Sequence, residues 1–71
     1  MKYSEASKLM EYLEALDEPL NSATEITMSF QDEEEAAEIR RKLAKIITSA
    51  HEAMILIIRE YPELDPDKHP D

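Results

Sequence analysis

The sequence predicts a mainly all-α protein in which a short N-terminal helix, an extended connector and a long C-terminal helix pack as a dimeric helical bundle. Three observations lead there. Asp32 to Tyr61 contains neither Gly nor Pro, and Ala36, Ile39, Leu43, Ile46, Ala50, Ala53 and Ile57 recur at alternating steps of three and four, which keeps side chains on one helix face. Next, 71 residues without a cysteine make a small core with no disulfide to reinforce it, and association is the common remedy. Finally, the run Met54-Ile55-Leu56-Ile57-Ile58 points apolar groups almost all around the axis, as a helix buried on most sides does.

The first helix is expected over about residues 4–17. Ser4 is its predicted N-cap and Glu5 faces its positive end, while Ala6, Leu9, Leu13 and Leu16 line one face that Tyr3 and Met10 widen. Pro19 disfavours helical geometry at the residue before it, and Leu20 continues the spacing beyond the kink.

Residues 20–31, LNSATEITMSFQ, read as the extended connector. From Thr24 to Phe30 apolar and polar residues alternate, with Ile26, Met28 and Phe30 on one side and Glu25, Thr27 and Ser29 on the other. A lone strand is unstable in water, so the segment either pairs with its copy in a second subunit or packs as an extended loop. Ser22 and Glu25, at capping-box spacing, would instead start a helix, against the β-branched content.

The long helix is expected over 32–61. Ser29 or Asp32 caps it, acids from Asp32 to Glu35 sit at its positive end, Arg59 lies near its negative end, and Pro62 stops it. Ser49 and Glu52 could cap a new helix after a break near Thr48, but the unbroken period from Ile46 to Ala53 favours continuity. Residues 1–61 then form a single helical domain, and 62–71 an acidic, Pro-rich, flexible tail.

A helix over 32–61 is about 45 Å long and one over 4–17 about 21 Å, so the shorter covers roughly half of the longer. In an antiparallel hairpin the end from Ala50 to Tyr61 stays uncovered. The predicted oligomer interface is therefore Leu43, Ile46, Ile47, Ala50, Ala53, Met54, Ile57, Ile58 and Tyr61.

Seventeen acidic against eight basic residues give a net charge of −9, which repels nucleic acid and anionic membrane alike. No apolar stretch approaches a membrane span and no signal peptide is visible, so a soluble, cytoplasmic protein is expected. A phosphate-cradling loop is excluded by the lack of glycine. Glu11, Glu14 and Glu18 share a face of the first helix; acid–base work would require a desolvated setting, so they read as a solvated acidic face open to a partner. His51 lacks both the Glu-x-x-His spacing of helical di-metal sites and the second histidine of a His-Glu-x-x-His zinc site, and His69 lies in the tail. Arg40, Arg41, Lys42 and Lys45 form the positive cluster, which Glu35 and Glu38 can balance. The expectation is no catalytic residue, no cofactor and no metal.

With a break near Thr48, TEITMSF followed by DEEEAAEIRRKLAKI and SAHEAMILIIREY resembles the strand-helix-helix order of ribbon-helix-helix DNA-binding proteins. That resemblance implies a dimer whose paired strands enter the major groove. The outward strand face would be Glu25, Thr27 and Ser29, where the family usually presents basic or amide side chains, and the family's inter-helix glycine is missing. The function expected from the whole sequence is a non-catalytic, homo-oligomeric interaction or regulatory module for another protein. An acidic nucleic-acid mimic that inhibits a basic protein and a ribbon-helix-helix-like DNA-binding regulator over 24–61 are the alternatives.

Overall fold

The computed structural model describes residues 1–67. Three α-helices, α1 (Tyr3–Ala15), α2 (Asp17–Thr27) and α3 (Glu33–Glu60), are followed by a 3-10 turn at Pro62–Leu64. Among the described residues there is no strand, and no helix is long and apolar enough to cross a membrane.

Lys2, not Ser4, caps α1. Its backbone is extended and its N–H donates to Glu5 Oε1 at 2.6 Å, so the acid in the first turn satisfies the residue that starts it. α1 stops at Leu16, which stays in the right-handed helical region and also opens α2. Pro19 carries no N–H and so cannot continue the ladder to Ala15. It sits in the first turn of α2, where the missing donor would have been unpaired anyway, and the Leu20 N–H restarts the ladder on the Leu16 carbonyl at 3.1 Å.

The extended connector expected over 20–31 is therefore corrected: most of it is α2. The alternation of Ile26, Met28 and Phe30 competes there with a helical spacing at Leu20, Ala23, Thr24 and Thr27, and these four are the positions that α2 buries or half-buries. The threonines are accommodated by local bonds, since Thr24 Oγ1 donates to the Leu20 carbonyl at 2.9 Å and Thr27 Oγ1 to the Thr24 carbonyl at 2.6 Å. A helix pairs its own backbone groups, whereas a solitary strand leaves them unpaired. Three tight bonds, Met28 N to Glu25 O, Ser29 N to Ile26 O and Phe30 N to Thr27 O, then wind the chain into the turn without glycine or any positive φ.

Asp32 caps α3, its Oδ1 accepting from the N–H of Glu34 at 3.0 Å and of Glu35 at 3.2 Å. α3 runs through Thr48 and Ser49 without a break. With neither the strand nor the break in place, the ribbon-helix-helix resemblance loses its structural basis.

The arm made of α1 and α2 runs antiparallel to α3, with α2 against its first half and α1 against its second. At 1.5 Å per residue that arm is about 36 Å long against about 42 Å for α3, so the helical connector covers what a first helix alone would leave bare. Ala6 and Met10 of α1 meet Met54 and Ile57 of α3, and Leu13, Ile58, Tyr61 and Leu64 pack around them. The inner side of the end from Ala50 to Tyr61, expected to lie bare, is thus covered within the chain, while Ile55 and Leu56 stay exposed. Near the turn, Thr27 and Ala36 are buried. At the open end, the Tyr61 hydroxyl donates to the Met1 carbonyl at 2.7 Å, and the Tyr3 and Tyr61 rings meet edge to face with centroids 5.4 Å apart. The expected flexible tail begins instead with the 3-10 turn that seats Leu64; its last residues, 68–71 with His69, lie outside the described residues.

The whole is a thin slab, 46 × 26 × 15 Å, with a radius of gyration of 15.3 Å. A compact chain of this length would have a radius near 11 Å. One layer of helices has two broad faces; residues 65–67 wall part of one, and among the described residues nothing covers the other.

Candidate interaction surface

Of the nine residues predicted as an oligomer interface, Met54 and Ile57 are buried in the chain's own core, and Ile58 and Tyr61 pack against it. Leu43, Ile47, Ala50 and Ala53 are half-buried, and Ile46 is exposed. Within the chain the seam at Met54 and Ile57 faces α1, because an antiparallel arm of nearly equal length occupies it.

One face of the slab carries a groove of about 480 Å³ where α1, the α1–α2 junction, α3 and residues 65–67 converge. Its floor is Met54, Ile55 and Ile58, and its acidic walls are Glu14, Asp17, Asp65 and Asp67. His51 also lines it, with Nε2 3.9 Å from Asp17 Oδ1, so a protonated imidazole has an acid beside it. Local structure explains the convergence. Glu14 and Asp17 stand three residues apart across the α1–α2 junction, and the 3-10 turn brings residues 65–67 back beside α1, where the Asp67 N–H donates to Asp65 Oδ1 at 2.9 Å.

The expected acidic face is therefore divided. Glu14 lines the groove, whereas Glu11 and Glu18 are exposed outside its lining. Asp17, Asp65 and Asp67 are not among the site residues expected from the sequence; the Glu14-x-x-Asp17 spacing is a usable signal, but no local pattern announces that the chain end folds back. In the positive cluster, Arg40 reaches Glu33 Oε2 at 3.6 Å and Met28 Sδ at 3.1 Å, while Arg41, Lys42 and Lys45 are exposed. Beside Tyr61, partial burial, assisted by the carboxylates of Glu60, Glu63 and Glu5, holds the phenol above its ordinary pKa of 10.0.

The opposite face is different in kind. Glu14 and Ile55 mark the groove side of their helices; at 100° per residue Leu9 and Leu16 stand about 140–160° from Glu14, and Ile46 about 180° from Ile55. Leu9 and Leu16 of α1 and its junction thus share the far side of the slab with Ile39 and Ile46 of α3. Ile26 of α2, about 180° from Asp17, extends that side, and Leu56 of α3 stands at its outer edge, where it lines a small pocket with Ile55, Glu52 and Arg59. All six are exposed, between 38% and 63%. No protein-family model, curated protein or solved structure matches this chain.

Proposed function

We propose that this chain is a non-catalytic, homo-oligomeric interaction module that binds a basic, partly apolar segment of another protein in the groove at Glu14 and Asp17. The observation that carries the reading is the pairing of an apolar floor, Met54, Ile55 and Ile58, with carboxylate walls at Glu14, Asp17, Asp65 and Asp67. Such a surface suits an amphipathic cationic partner, whose alkyl stems lie on the floor while its ammonium or guanidinium groups meet the walls. The charge of −9 adds long-range attraction for a positively charged partner. A pure nucleic-acid mimic needs rows of carboxylates but no such floor.

Fluorescence anisotropy with a labelled Lys/Leu amphipathic peptide tests the groove. Replacing Glu14 and Asp17 together by Lys is expected to weaken binding by about tenfold or more, and Glu11→Lys with Glu18→Lys by much less. Equal losses for the two pairs would show that binding follows total charge and would sink the groove reading in favour of the acidic mimic.

A further inference from the structure

We infer that the apolar face at Leu9, Leu16, Ile26, Ile39, Ile46 and Leu56 is covered by the same face of a second copy of this chain, stacking two helical hairpins with the two acidic grooves outermost. The inference rests on the homo-oligomeric part of the function proposed above and deepens it by naming the face and its occupant.

Three quantities favour a second copy. A compact monomer of 8.2 kDa exposes about 4,500 Å², whereas this chain exposes 5647 Å². The six residues keep roughly half of their surface exposed, about 550 Å² per chain, so burying them completely on two copies would remove at most about 1,100 Å², near the lower bound of specific interfaces at about 1,200 Å². A patch of that size is at the upper end of what monomers leave bare. The slab's thickness of 15 Å makes the same point geometrically, because stacking two single layers encloses the exposed edge of each helix seam and supplies the second layer on which helical domains depend.

Charge is compatible with self-association despite the net −9. The groove acids Glu14, Asp17, Asp65 and Asp67 lie across the slab, away from the contact. Around α3 the apolar face is bordered by both signs, Lys42 and Lys45 with Glu35 and Glu38, so two copies meet without a wall of like charge. A two-fold axis places the same patch on both sides, so one self-complementary face is sufficient and assembly stops at two.

Sedimentation equilibrium from about 1 µM to about 1 mM, the range between standard and weak association, tests this on the full chain with circular dichroism beside it. Ile46→Glu and Ile55→Glu replace residues of near-equal exposure, 48% and 49%, on opposite faces of one helix. The expected result is a wild-type dimer whose dissociation constant rises about a hundredfold or more in Ile46→Glu while helicity persists, with little change in Ile55→Glu. The milder Leu9→Ser and Ile39→Ser should weaken the dimer in the same order should Ile46→Glu lose helicity. A wild-type monomer throughout overturns both the inference and the homo-oligomeric reading. A dimer indifferent to Ile46→Glu, Leu9→Ser and Ile39→Ser, or one broken equally by Ile55→Glu, overturns the face assignment alone.

Discussion

Ile57 and Leu56 are neighbours in a run of five apolar residues, yet they sit at opposite extremes of exposure, 2% and 63%. Replacing each by Ala changes helix propensity little and removes a similar side chain, so the difference between the two variants isolates packing. Ile57 lies in the cluster with Ala6, Met10 and Met54, and truncating a buried Ile costs about 2–5 kcal/mol through lost burial and the cavity left behind. Only about a third of Leu56 is buried within the chain, so Leu56→Ala should cost about 0.5–1 kcal/mol in the monomer. A domain of this size is stabilised by only about 4–10 kcal/mol, so Ile57→Ala would remove a large share. Urea unfolding followed by circular dichroism reads both values, with an unchanged m-value indicating that the unfolded state is not the cause. Losses of equal size, or a loss at Ile57 below about 1 kcal/mol, would refute the docking of α1 on the second half of α3. A Leu56→Ala loss that grows with protein concentration is expected if this side chain also lies in the dimer contact.

Two other positions give independent checks. Asp32→Ala removes the side-chain acceptor for the N–H groups of Glu34 and Glu35 and should cost about 1 kcal/mol, read by thermal unfolding; Asp32→Asn should recover most of it. Tyr61 is held above its ordinary pKa in the folded chain, so the native state keeps a proton that the unfolded state releases first. Its contribution is therefore fully present below pH 10.0 and is lost as pH rises through the higher folded value. Tyr61→Phe should make the alkaline side of the stability profile less steep, and tyrosinate absorbance of the wild type should show one of the three tyrosines titrating late. An identical alkaline profile in Tyr61→Phe would contradict that assignment.

The helical class and the uninterrupted character of α3 were legible because Ala36 to Ile57 holds one period over six steps, a signal that tertiary context rarely overrides. The segment Thr24 to Phe30 was misread because it satisfies two periods at once. Alternation at Ile26, Met28 and Phe30 concerns residues that point to solvent or the turn, whereas the quieter spacing of Leu20, Ala23, Thr24 and Thr27 is the one that packs. Small polar residues on a buried helix face carry little hydropathy signal, and their local bonds to Leu20 and Thr24 are invisible to it. The same misreading shapes the predicted interface. With α2 counted as extended, the second half of α3 had no cover, and Met54 and Ile57 were assigned to a partner chain. In the candidate site, Glu14 and its exposure were readable, but the approach of Asp65 and Asp67 depends on the fold-back after Pro62, which follows from where Leu64 finds an apolar seat.

The distribution of burial along the hairpin also shapes how the chain folds. Next to the turn at residues 28–32, closing the chain costs little entropy, but the buried residues there are small, Thr27 and Ala36. At the open end the larger cluster of Met10, Met54 and Ile57 offers most of the burial, yet it joins residues 44 and 47 apart, and the bond between Tyr61 and Met1 joins residues 60 apart. Loop-closure entropy grows only slowly with length, about 0.6 kcal/mol per doubling, so the distant cluster still outweighs the near one once it forms. Neither end persists by itself: the turn lacks burial and the cluster lacks proximity. The hairpin should therefore form in one cooperative step, more slowly than helical chains with local cores, because its main stabilising contacts join the most widely separated segments.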